Sequence, residues 1–218
     1  MTTTTTTTTT NSSRTRIEPT ELTGLFGTVV KAAARRMVGR VPDSMGVLAH
    51  HPAVMRASMG IGRKIDALDE LDADLASYAS MATAATIGCS WCLDYHYYKS
   101  HNEGLDEQKA RQVPAWREAS VFTPLERDVM EYAEAMSQTP PTVTDELSAR
   151  LLDRLGPAAL IELTAKVAFM NMSSRMNVAL GIRSEGYADA CELPPLAVRA
   201  AREESPSDAP AGVVGSAS

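Results

Sequence analysis

Cysteine, aromatic residues and long apolar runs are all scarce in this chain of 218 residues. Three Cys, an odd number, are too few for the disulfide framework of a small secreted domain. No stretch approaches the roughly 18 consecutive apolar residues of a membrane-spanning helix. The polar N-terminus lacks the apolar core of a secretory signal. Basic residues do not dominate either. The 21 Lys and Arg face 27 Asp and Glu, a formal charge of −6, so no cationic surface for nucleic acid is implied. No segment alternates with period two, and no hairpin dipeptide joins β-branched runs, so strands are not expected. These absences place the chain in the reducing cytoplasm. There, two Cys close together read as redox or metal chemistry rather than as a structural staple.

What is present fits a soluble globular protein. With 44% hydrophobic and 22% charged residues, the chain is too apolar to be disordered throughout and too mixed to be fibrous. Its length suits one domain, or two small ones sharing a core. Residues 2–10 are nine Thr, and nothing in 1–16 offers an apolar face to bury, so this segment is expected to be a disordered tail. Residues 203–218, rich in Ser, Pro, Ala and Gly, are expected to be a second one. The folded domain is then 17–202.

Inside it the apolar period is helical. Leu22, Leu25, Phe26, Val29, Val30, Ala33 and Met37 form one stripe, stopped by Gly39 and Pro42. Pro52 suits the first position of a second helix, with Val54, Ala57, Ile61 and Ile65 on one side. An Ala-rich helix over 72–87 is broken by Gly88, and another runs from Cys89 to about Asn102. A short one is expected over 106–113. Thr123-Pro124-Leu125-Glu126 is a capping box that starts a helix running to about Ser137. Thr144 caps Asp145 to Leu155, Gly156 closes that helix, and Pro157 opens a long one to about Leu180. The expectation is an all-α fold of eight or nine helices.

The segment Gly88-Cys89-Ser90-Trp91-Cys92-Leu93-Asp94-Tyr95-His96 carries the chemistry. On a helix, at about 100° per residue, Cys89, Cys92 and His96 share one face within two turns. A thiol at a helix start meets free N–H groups and the positive end of the macrodipole, which favour the thiolate. His96 can take or supply a proton. A structural zinc site would need a fourth ligand, and neither Cys191 nor His101 is placed to supply one. Attached haem would need His directly after the second Cys, where Leu93 stands. A thioredoxin-like site would need a βαβ setting. Two readings stay open at this point: a redox dithiol, and two buried Cys acting as small apolar residues.

The run from Ile87 to His96 resembles the alkylhydroperoxidase D-like branch of the carboxymuconolactone decarboxylase superfamily. Ala115 to Glu118, Phe122 to Arg127, and Asn171 to Arg175 with Asn177, Ala179 and Leu180 are similar to the same family, as is His51-Pro52-Ala53-Val54. The likeness covers about 45–185. It implies a compact helical bundle whose protomers pair through the Cys-bearing helices into trimers or larger rings such as hexamers. It implies a thiol-dependent peroxidase, in which Cys92 attacks a small-molecule hydroperoxide and Cys89 closes a disulfide. An external dithiol, in some relatives on a lipoyl-bearing protein, restores both thiols. His96 is the third site residue. No cofactor and no metal are implied, and no nucleic acid or membrane partner.

The chain departs from the family's relay at two positions: Ser77 stands where active relatives carry Glu, and Trp91 where some carry His. The relay thins to His96, so a slow peroxidase or a general dithiol–disulfide oxidoreductase is expected. A non-catalytic helical oligomer is the alternative from another class, and the namesake decarboxylation, which has no use for paired thiols, ranks below both. Asp94 is expected to point away from Cys92, and Asp74 to be a solvated first-turn charge. His50 and His51 are expected at a helix start, His101 at a solvated helix end, Arg175 and Asn177 in structural hydrogen bonds, and Cys191 without a role.

Overall fold

A computed structural model describes residues 15–198. The described residues form nine α-helices and one 3-10 turn, with no strand, so the all-α expectation holds. In chain order they are α1 (Gly24–Val38), α2 (Asp43–Leu48), α3 (Pro52–Asp66), α4 (Ala73–Ile87), α5 (Ser90–Asn102), α6 (Glu107–Ala110), the 3-10 turn Val113–Ala115, α7 (Pro124–Ser137), α8 (Asp145–Leu180) and α9 (Tyr187–Ala190). Helix α4 is the centre, packed against α5, α7 and α8. Its Ala79, Ala82 and Ala84 are buried, and such short side chains let neighbouring helix backbones come close. The main core joins Tyr78 and Met81 of α4 to Val129, Met130 and Ala133 of α7 and to Leu151, Leu163 and Val167 of α8. No helix among the described residues is long and apolar enough to cross a membrane.

Local chemistry sets the boundaries. The capping box at α7 is complete: Thr123 Oγ1 accepts from the Glu126 N–H at 3.3 Å, and Glu126 Oε2 accepts from the Thr123 N–H at 2.7 Å. Burying part of Glu126 would raise its pKa. Its hydrogen bonds with Lys109 and Thr123 outweigh that and hold the carboxyl below the usual range. Within α8, Gly156 adopts φ 77° and ψ 169°, a conformation closed to residues with a Cβ. It splits α8 into two arms, and Pro157 begins the second.

Two short helices carry no signal in the sequence. Six residues of α2 and four of α9 are too few for a readable apolar period. Helix α9 owes its start to a distant side chain. The buried carboxylate of Asp94, on α5, accepts from the backbone N–H groups of Gly186, Tyr187 and Ala188 at 2.9 to 3.0 Å and from the Ser184 hydroxyl at 2.7 Å. Asp94 does point away from the Cys pair, and it is the anchor for the segment that follows α8.

Other expectations need correction. The stripe on α1 was expected to face inward, yet only Val30, Ala34 and Gly27 of that helix are buried. Leu25 is 84% exposed and Val29 60%, because none of the described residues packs over that face. On α3, Met55 is the buried residue; of the expected stripe Val54, Ala57 and Ile61 are exposed and Ile65 is half-buried. Arg16, placed in the N-terminal tail, belongs to the fold. Its backbone N–H donates to Leu180 O at 2.9 Å and its guanidinium to Val178 O at 3.2 Å and Ala179 O, filling the open carbonyls at the end of α8. The rest of that expected tail, 1–14, and the tail over 203–218 lie outside the described residues.

The Asp94 clamp predicts a measurable stability term. Replacing Asp94 with Ala takes the acceptor from the buried Tyr187 N–H and the half-buried Ala188 N–H, leaves Gly186 N–H only Ser184 Oγ, and should lower the unfolding free energy by about 2 kcal/mol. Urea unfolding checks it, and hydrogen exchange should show amides 186–188 losing protection first.

Candidate active site

The site begins at a two-residue break, Gly88-Cys89, between two helices. Gly88 ends α4 in the left-handed conformation, φ 79°, with its own N–H and that of Cys89 both donating to Ala84 O at 3.0 Å. The chain reverses there, and Cys89 becomes the N-cap of α5, with φ −81° and ψ 90°. Cys89 is therefore not a residue of the helix, as the wheel had placed it. It reaches the same face by bending back over the first turn, where its Sγ accepts from the Cys92 N–H at 3.2 Å. An N-cap oxygen does the same with the third residue of a helix.

That reach brings the two Cys together. Their Cα atoms are 5.3 Å apart, within the usual disulfide range, and Cys89 and Cys92 are bonded to each other. Both are buried, at 1% and 2% exposure, against Ala84 and Met170, with Trp91 and Leu93 beside them. A buried apolar setting disfavours a thiolate unless donors are supplied. One donor is the Cys92 N–H on Cys89. A second comes from the long helix. Asn177 Nδ2 lies 3.4 Å from Cys92 Sγ and 3.9 Å from Cys89 Sγ.

Asn177 is the residue whose place at the sulfurs sequence reasoning missed. It had been assigned to structural hydrogen bonding. The signal was there: Leu163, Val167, Met170, Ser174 and Asn177 follow the buried face of one helix, and the last two are polar. Arg175 does take the structural role, donating to Ser137 O at 2.8 Å and to Thr139 Oγ1 at 3.3 Å.

His96 stands one turn after Cys92, so the two side chains share a face of α5. No hydrogen bond joins its imidazole to either sulfur, and its ring meets that of Tyr95 edge-on at 5.4 Å. Burial, and then the charge of Lys99, pulls its pKa down to about 3. His96 is therefore neutral at pH 7. It can accept a hydrogen bond from a thiol, and it adds no positive charge to hold a thiolate.

Trp91 turns the other way. Its indole N–H donates to Glu185 Oε1 at 3.1 Å, and its ring stacks on Tyr95 with centroids 5.2 Å apart. An indole only donates, so this position cannot relay a proton to the sulfurs. Burial pushes the Glu185 carboxyl up, while its hydrogen bond from Trp91 and the nearby Arg40 pull it down. Ser77 makes no hydrogen bond to the pair, and Asp74 is exposed at the start of α4, as expected. His51 caps α3, accepting from the Val54 N–H, while His50 bonds Glu18 O. His101 is exposed and lies 3.4 Å from Glu107, and Cys191 is an exposed free thiol. No group of three or more His, Cys, Asp or Glu among the described residues is placed to hold a metal ion.

The His96 environment predicts the sign of a pH effect. Its folded pKa lies below the unfolded value near 6.5, so the unfolded chain binds the extra proton as pH falls. Stability is level above about pH 6.5 and declines below it, down toward pH 3. In a His96→Gln variant the loss between pH 7 and pH 5 should shrink by about 2 kcal/mol, measured by urea midpoints at each pH.

Comparison with known proteins places this geometry. Residues 52–135 match the model of the carboxymuconolactone decarboxylase family. The uncharacterized protein YnjA of Escherichia coli is 37% identical over 124 residues, which is 57% of this chain and 66% of YnjA, just under two thirds of that protein. The alkylhydroperoxidase AhpD core structure of a peroxidase-related protein from Ralstonia eutropha superposes with a TM-score of 0.67 at 20% identity, covering 78% of this chain and 94% of that one. The debrominase Bmp8, as its C82A variant with 2,3,4-tribromopyrrole, gives 0.69 at 18% identity, covering 82% and 97%. Residues 52–135 thus carry the sequence pattern of the carboxymuconolactone decarboxylase family, and the described residues share the helical fold of the AhpD-like structures.

Proposed function

We propose that this protein is a thiol-dependent peroxidase that cycles Cys89 and Cys92 between a dithiol and a disulfide. The observation that carries the reading is the joined pair at the start of α5, where cap geometry sets both sulfurs within bonding reach. The Cys92 thiolate attacks the terminal oxygen of a hydroperoxide, the O–O bond breaks, and the alkoxide leaves as an alcohol after taking a proton. Cys92 is then a sulfenic acid. The Cys89 sulfur attacks it, a disulfide forms and water leaves. An external dithiol, such as a lipoyl-bearing protein, returns two electrons and two protons and is itself oxidised to a disulfide. A resolving thiol this close traps the sulfenic acid before further oxidation.

The chemistry around the pair supports a slow enzyme. His96 is neutral, Trp91 is bound to Glu185, and no carboxylate among the described residues is hydrogen-bonded to the sulfurs. Activation is left to dipoles. Reduced protein mixed with one equivalent of an organic hydroperoxide should form the Cys89–Cys92 disulfide and one equivalent of alcohol. Cys92→Ser should reduce peroxide consumption to background, and Cys89→Ser should leave a trappable sulfenic acid on Cys92. Absence of the disulfide after a stoichiometric dose refutes the peroxidase reading. Its formation with a small dithiol's oxidised form, and not with peroxide, would instead identify a general dithiol–disulfide oxidoreductase.

The proposal extends to a cytoplasmic homo-oligomer. Leu25, Val29 and Met37 of α1, Ile61 of α3 and Ile161 of α8 are exposed apolar side chains that the described residues leave uncovered. Light scattering on the eluting protein should give the mass of a trimer or hexamer. A monomer at micromolar concentration would rule this out.

A further inference from the structure

We infer that Asn177 is a catalytic residue of the dithiol: its side-chain amide is the donor that holds the Cys92 thiolate and makes Cys92, rather than Cys89, the attacking sulfur. The inference rests on the dithiol reading above and adds to it a residue and a selection rule. The two sulfurs are alike in burial, so access does not distinguish them. They differ in their donors. Cys89, as the N-cap, takes the Cys92 N–H at 3.2 Å and lies at the positive end of α5. Left to that field alone, Cys89 would be the better thiolate. Asn177 Nδ2 reverses the bias, because it lies 0.5 Å closer to Cys92 Sγ than to Cys89 Sγ, at 3.4 Å against 3.9 Å.

The contact is weak in the oxidised state and strong in the reduced one. A disulfide sulfur is a poor acceptor, whereas a thiolate is a charged one, and hydrogen bonds to ionised groups are about twice as strong as neutral ones. The amide therefore stabilises the reduced, ionised form over the bridged form. Burial increases its weight, since no bulk water competes at 2% exposure. His96 does not replace it, since no hydrogen bond joins its imidazole to either sulfur and its ring lies against Tyr95. Ser174 lies one turn before Asn177 on the same buried face of α8, and its hydroxyl is fully buried without a partner in the bridged state. It is an unspent donor beside the one that touches the sulfurs.

The test reads nucleophilicity without peroxide, so its failure is distinct from failure of the peroxidase reading. Reduced protein carrying Cys191→Ser is pulsed with limiting iodoacetamide at pH 7, and the label on Cys89 and Cys92 is counted by peptide mass spectrometry. Asn177→Leu, similar in volume and without a donor, should lower the Cys92:Cys89 ratio about tenfold. Asn177→Asp, which sets a carboxylate against the thiolate, should lower it further. A ratio unchanged in both variants overturns the inference. Should the variants fail to fold, the wild-type protein still decides. The Asn177 side-chain amide resonances should move on reduction of the disulfide, and resonances that stay put overturn the inference equally.

Discussion

A sulfur acting as a helix cap is the contact on which this site is built. The Cys89 Sγ to Cys92 N–H bond fixes where α5 begins, and the same bend lays one sulfur on the other. Gly88 makes it possible, since the left-handed turn that ends α4 leaves Cys89 as the cap of the next helix. Local backbone chemistry and redox chemistry are thus one geometric fact here. A change that moved the helix start by a residue would remove both.

Around that contact the protein supplies dipoles where charges are absent. Among the described residues no Arg or Lys is paired with the sulfurs, and burial holds the imidazole one turn away in its neutral form. What remains is a backbone N–H from α5 and a side-chain amide from α8. Such groups are set by packing, carry no proton to lose, and act at one distance at any pH in the neutral range. The carboxylates of this region serve structure instead. Asp94 starts α9, and Glu185 holds Trp91 and the backbone of Asp43.

Much of this was legible before any coordinates. Capping residues mark their helices locally, so the starts at Pro52, Thr123 and Thr144 and the break at Gly156 were readable from a few letters each. The Cys-x-x-Cys spacing predicted two sulfurs on one side of the chain, and they do meet, although Cys89 is the cap of α5 rather than a residue of it. What could not be read was long-range. Asn177 reaches the sulfurs across 85 residues of sequence, and Asp94 reaches α9 across more than 90. Burial of the α1 stripe was misjudged for a related reason: an apolar period states that a face wants cover, and says nothing of which chain provides it.

The Arg16 contact bears on how the protein should be handled. Its guanidinium and backbone close the carbonyls of Val178, Ala179 and Leu180, within a single turn of the amide at the sulfurs. Trimming the chain to begin at Ile17 would take their Arg16 donors from the Ala179 and Leu180 carbonyls, while Gly181 and Ile182 still cap Val178 and Asn177. A shortened protein and the intact one are therefore not interchangeable for measuring thiol reactivity, however dispensable a run of threonines looks on paper.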